Sequence, residues 1–140
     1  MTREDAQRLV QSFLRALGQS QSPGLNPQGF GGVAVADAQL YFEYRTAEQA
    51  LECSALIYKF RDAPKPGVIA GFEQEEKAGT DTGGGTVDYE PENKSLFLSR
   101  SYAEVPPVAT FQEHMEQLMK ASLQWSTEVL DRVASRVFKN

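Results

Sequence analysis

Apolar residues recur along the first segment at helical spacing. Ala6, Leu9, Val10, Phe13, Leu14 and Leu17 follow an i, i+3, i+4, i+7 pattern, which predicts one buried face of a helix over residues 2–17. Thr2 followed by Asp5 predicts a capping box at its start, and Gly18 a stop. Residues 18–31, with Pro23, Gly24, Pro27, Gly29 and Gly31, read as a long loop.

The period then changes to two. Val33 and Val35 alternate with small residues, and Asp37-Ala38 can turn the chain. In the next strand Leu40, Phe42 and Tyr44 face one way and Tyr41, Glu43 and Arg45 the other. From Leu51 to Phe60, Leu56, Tyr58 and Phe60 share one face while Cys53, Ala55 and Ile57 share the other. Two apolar faces predict a central strand covered on both sides.

Pro64 and Pro66 end that strand. Val68, Ile69 and Phe72 predict a short helix between Pro66 and Gly79, which Gly67 and Gly71 weaken by about 1 kcal/mol each relative to Ala. Gly83-Gly84-Gly85 reads as a flexible hinge. Thr86–Tyr89 and Ser95–Tyr102 form a hairpin across Glu90-Pro91-Glu92-Asn93. After Pro106-Pro107 comes the longest helix, over residues 110–137, with Thr110 and Glu113 as a capping-box signature. Its stripe is Phe111, Met115, Leu118, Ser122, Trp125, Val129 and Val133, widened by Met119, Leu123, Leu130 and Val137. The expected fold class is α+β: an N-terminal helix, an antiparallel sheet of about five strands with a short middle helix, and a long C-terminal helix. Residues 1–140 are expected to form a single domain.

Composition narrows the function classes. With 41 % hydrophobic and 24 % charged residues the chain is that of an ordinary globular protein. Fourteen Lys and Arg against nineteen Asp and Glu, a net charge of −5, argue against a nucleic-acid or anionic-membrane partner. The single cysteine, Cys53, excludes an internal disulfide and a thiolate metal cage, and suits a reducing compartment. The charged N-terminus does not read as a secretory signal, and no run approaches the ~18 apolar residues of a membrane span. A cytoplasmic location is the expectation.

Candidate catalytic chemistry is sparse. The one histidine, His114, has Glu113 beside it in sequence, but neighbours on a helix do not face each other. Cys53 sits among apolar neighbours as a small core residue would. Neither Lys-Ser nor Lys-Thr follows the three glycines, so they do not read as a phosphate loop. The expectation is no catalytic site, no metal site and no cofactor, hence no enzyme. Between residues 73 and 92 seven acids (Glu73, Glu75, Glu76, Asp81, Asp88, Glu90, Glu92) face one base, Lys77. That run is either a solvated loop or an acidic rim steering a basic partner. The apolar surplus of the long helix and of residues 51–60 is either ordinary core or an interface with self or a client.

The element order, the stretch Gly-Gly-Val-Ala-Val-Ala-Asp-Ala-Gln-Leu-Tyr-Phe at 31–42, the hairpin Val87–Arg100 and the helix carrying Phe111, Leu118, Ala121 and Trp125 resemble the type III secretion chaperone superfamily, the Tir-chaperone family in particular. The resemblance implies a cytoplasmic homodimer without nucleotide chemistry that holds an extended segment of a secreted effector by strand addition and side-chain pockets. By position it places Val68, Ile69, Phe72 and Val87 at the dimer contact. Apolar grooves around Tyr41, Leu56 and Tyr58 are the candidate client site. The family's second helix is longer and more apolar than the segment after Pro66. The alternative expectation is a stand-alone regulatory or structural protein of the same fold with no secretion client.

Overall fold

A computed structural model describes residues 1–138. Helix α1 (Arg3–Ala16) opens on the expected box: Thr2 Oγ1 accepts from the Asp5 N–H at 3.1 Å and Asp5 Oδ2 from the Thr2 N–H at 3.5 Å. Its buried face is Ala6, Leu9, Val10, Phe13 and Leu14. Strands β1 (Phe30–Val35), β2 (Ala38–Arg45) and β3 (Ala50–Lys59) follow as an antiparallel meander. Helix α2 (Pro66–Lys77) precedes the hairpin of β4 (Thr86–Glu90) and β5 (Ser95–Tyr102). The sheet order is β1-β2-β3-β5-β4, antiparallel throughout. This is the α+β arrangement expected from the periodicities.

The helices cover one face of the sheet. Phe13 of α1 meets Phe42 of β2 edge-on at 6.0 Å and Phe111 of the C-terminal helix at 5.7 Å, so three elements share one aromatic junction. Among the described residues the other face carries no helix. Strand β3 is central as expected but covered on one side: Leu51, Cys53, Ala55 and Ile57 are buried, while Leu56 is half-buried and Tyr58 exposed.

The C-terminal helix begins earlier than its capping signature. Helix α3 (Val108–Gln124) starts after Pro107, whose carbonyl accepts from the Phe111 N–H at 2.9 Å, and Thr110 lies within the first turn without capping it. Proline lacks the N–H that a helix start leaves unpaired, so the Pro106-Pro107 pair places the boundary. The helix is interrupted by a π-helical turn at Trp125–Val129 before α4 (Leu130–Val137). Trp125, Val129, Val133 and Val137 recur every four residues, a spacing that drifts around a regular α-helix. The wider π turn takes up the extra residue and keeps Trp125, Val129 and Val133 buried. Hydroxyls of Ser126 and Thr127 donate to the Leu123 carbonyl at 2.8 and 3.0 Å, replacing bonds the wider turn loosens.

Helix α2 is a full three turns despite its two glycines, because the glycines are a contact surface. A Cβ on Gly71 would come within 2.7 Å of Val133 Cγ1, and one on Gly67 within 3.6 Å of Val137 Cγ1. The i, i+4 pair on α2 forms a trough for the i, i+4 valines of α4. The three glycines before β4 are likewise packed instead of hinged: a Cβ on Gly83, at φ +64, would meet the Gln117 carbonyl of α3.

Candidate functional site

The uncovered face of the sheet is a concavity of about 810 Å³ lined from Phe30 and Gly31 at one edge to Asp88, Glu90 and Pro91 at the other. Its floor is Tyr41 of β2, Ser54 and Leu56 of β3 and Phe97 of β5. Tyr41 and Phe97 stand on strands separated by β3, yet their rings meet edge-on at 5.9 Å. The small Ser54 between them leaves the room, and its hydroxyl bonds that of Ser99 at 2.8 Å. Tyr41 is 43 % exposed, so an aromatic pair lies open on a curved, helix-free surface.

Of the three residues expected at a client site, Tyr41 and Leu56 come together here and Tyr58 does not. The register shifts between Leu56 and Tyr58: Leu56 pairs with Phe97, but Tyr58 pairs with Leu96, a core residue. The bulge at Ile57 turns the alternation over, so Lys59 takes the place on the open face and Tyr58 packs edge-on against Phe60 at 5.0 Å. Phe97 is the residue the sequence reading missed. Its signal was there, as the apolar member of β5 out of phase with Leu96 and Leu98.

The two sheet edges differ. At β4 the Val87 N–H is taken by Glu76 Oε1 at 2.9 Å, and Asp88 and Glu90 add charge. At β1 the Phe30 N–H donates to Asn26 Oδ1 at 2.9 Å and its carbonyl accepts from the Asn26 N–H at 2.7 Å. By the two-residue period Gly32 and Ala34 turn their backbone groups the same way, and among the described residues nothing bonds them. This edge carries no charge and no proline between Phe30 and Val35, the devices that usually blunt a free strand.

The acidic run is not one rim. Glu75 is buried, and its carboxylate accepts from Arg132 at 2.7 Å, Arg136 at 2.5 Å and Thr80 Oγ1 at 3.1 Å. The Arg132 hydrogen bond, with Arg136 and Thr80 behind it, holds its carboxyl below the ordinary range against the cost of burial. Glu76 caps β4, and Asp81 Oδ1 accepts from the Gly83 N–H at 2.8 Å. Three of the seven acids thus hold α2, the glycine turn and β4 together.

The residues expected at a dimer contact divide in the same way. Val68 and Phe72 are buried within the chain, Phe72 stacked on Trp125 at 6.1 Å. Ile69 and Val87 are half-buried and reach the surface. Cys53 is fully buried, and burial pushes its thiol well up, away from the nucleophilic thiolate. His114 Nδ1 meets the Tyr102 hydroxyl at 2.9 Å; burial lowers the imidazole, with Arg100 acting the same way, and burial raises the phenol to about 12. Among the described residues no three of His, Cys, Asp and Glu converge as metal ligands, and no helix is long and apolar enough to cross a membrane.

No protein-family model matches the sequence, and no curated protein matches it. Solved structures do match by shape. A chain of the ExsC–ExsE complex superposes with a TM-score of 0.71 at 13 % identity, covering 90 % of this chain and 95 % of that one. A chain of the HopA1–SchA chaperone–effector complex gives 0.64 at 17 %, covering 89 % and 94 %. One from the ExoT–SpcS complex of Pseudomonas aeruginosa gives 0.54 at 15 %, covering 86 % and 94 %. The chain therefore has the secretion-chaperone fold that its sequence resembles, at identities that speak for fold alone.

Proposed function

We propose that this protein is a non-enzymatic, cytoplasmic binding protein of the secretion-chaperone kind, which holds an extended segment of an effector or another protein partner. The observation that carries the reading is the unpaired, uncharged β1 edge at Gly32 and Ala34, continuous with the open face of Tyr41, Leu56 and Phe97. An extended chain added at that edge satisfies the free backbone groups, and its flanking residues run on across the concavity. The chaperone–effector complex among the structures of like fold supports the same kind of partner. The reading includes a homodimer formed through the surface of α2 and β4 that bears Ile69 and Val87.

The test begins with cross-linking in the native cell and mass spectrometry to identify the bound segment. A synthetic copy of that segment is then titrated with alternate backbone amides N-methylated. Loss of binding is expected, since each methyl removes a ladder donor without altering a side chain. Ala34→Pro, on the protein side, is expected to weaken binding with little change in the urea midpoint. Undiminished affinity of the methylated peptide, or cross-links confined to the helical side, overturns the reading.

A further inference from the structure

The open face carries a charge excess that the fold itself does not neutralise. Glu43 and Glu52 stand directly opposite each other on β2 and β3, a like-charged pair that costs stability unless a cation is shared between them. Arg45 supplies one, 2.9 Å from Glu52 and 3.9 Å from Glu43. Asp88, beside Phe97 on the neighbouring strand, receives only a long contact from Ser99 Oγ at 3.5 Å, and no cation pairs with it among the described residues. Glu90 lies further along the same rim. Among the described residues four carboxylates thus share the face with two cations, Arg45 and Lys59. Burial holds the Glu52 carboxyl above the ordinary range against the pull of Arg45, and Asp88 and Glu43 push the same way. These acids flank the Tyr41–Phe97 aromatic pair, so the face offers an apolar floor and an unmatched negative wall side by side.

We propose that the segment bound on this face is extended and turns both apolar and cationic side chains toward it, with an apolar residue seated on Tyr41, Leu56 and Phe97 and a Lys or Arg, two or four positions away, set against Asp88 and Glu52. The inference rests on the reading that this face receives an extended chain, and it names the chemistry of that chain. The spacing follows from the strand geometry of the partner: successive residues face opposite ways, so the apolar residue and the cation sit an even number of positions apart to share the face. Cation choice follows from complementarity, which rejects an acidic segment as strongly as it favours a basic one.

The probes are three fluorescent eight-residue peptides on one alternating Val/Thr frame, in which two of the Val positions are replaced by Lys, replaced by Glu or left unchanged. Anisotropy titrations are expected to show the Lys peptide binding at least about tenfold tighter than the Glu peptide, with the preference shrinking as salt rises and the Debye length falls to about 3 Å near 1 M. Asp88→Asn is expected to cut the preference to under about threefold, as loss of one charge partner predicts. Asp88 is exposed and unpaired, so this variant folds; Glu52→Gln, which also loses its Arg45 pair, is the second variant and is read against its own thermal melt. Binding of the uncharged peptide with no Lys preference overturns this inference alone. Failure of all three peptides to bind overturns the reading of the face on which it rests.

Discussion

Trp125 ties two distant parts of the chain with one side chain. Its ring is fully buried against Phe72, and its indole N–H donates to the Asp81 carbonyl at 2.8 Å, fixing the glycine turn before β4. Trp125→Ala is expected to cost about 3–5 kcal/mol in urea unfolding, as large aromatic truncations do. Trp125→Phe keeps most of the ring and deletes the donor, so about 1–2 kcal/mol is expected for the orphaned carbonyl. Glu75 makes a second tie, between α2 and α4. Its carboxyl is held low in the folded state, so the stability it gives is full above the unfolded value near 4.5 and is lost as pH falls through the lower folded value. Glu75→Gln is expected to lower the melting temperature at neutral pH and to flatten the acid limb of the profile. An acid limb unchanged from the parent would show that the pair contributes nothing. A charge at Phe72, placed to break a dimer, would instead break the core, because that ring has no exposed surface.

Among the elements, α2 decides between two opposed effects of glycine. Propensity alone says that Gly→Ala in a helix gains about 1 kcal/mol. Gly67→Ala is expected to gain, because its new methyl meets Val137 at an ordinary 3.6 Å. Gly71→Ala is expected to lose about 1–3 kcal/mol, because its methyl meets Val133 at 2.7 Å and overpacks the junction. Val133→Ala in the same chain should restore part of that loss; chemical denaturation of the four variants checks the cycle. The example shows what was legible in the sequence. The Thr2–Asp5 box, the alternation of Leu40, Phe42 and Tyr44, and the hairpin were readable because each is decided by residues a few positions apart. The role of Gly71, the bulge at Ile57 and the π turn at Trp125 are decided by partners far along the chain, which periodicity does not register. The candidate site was half readable for the same reason. Tyr41 and Leu56 follow from strand alternation, Phe97 joins them only through the β3–β5 pairing, and the bulge removes Tyr58.

At the scale of the molecule the surface left over from the core is unequal on its two sides. Two of the four residues expected at a dimer contact are internal, which leaves Ile69 and Val87 as the apolar part of the α2–β4 surface. Sedimentation equilibrium at tens of micromolar is expected to show a dimer that Ile69→Glu dissociates without loss of helical signal. A parent protein that sediments as a monomer there would end the proposal.

The contrast between the sheet's two edges also has a meaning in polymer chemistry. A monomer with one open edge and one closed edge has a functionality of one: it can join a single neighbour and then stops. Joining two copies at the closed side makes a unit with an open edge at each end, and therefore a functionality of two. Such a unit is a monomer for linear growth, by the same hydrogen bonds that would capture a partner strand. A bound segment then acts as a chain stopper. Adding an edge-binding peptide to concentrated protein should lower the weight-average mass seen by light scattering.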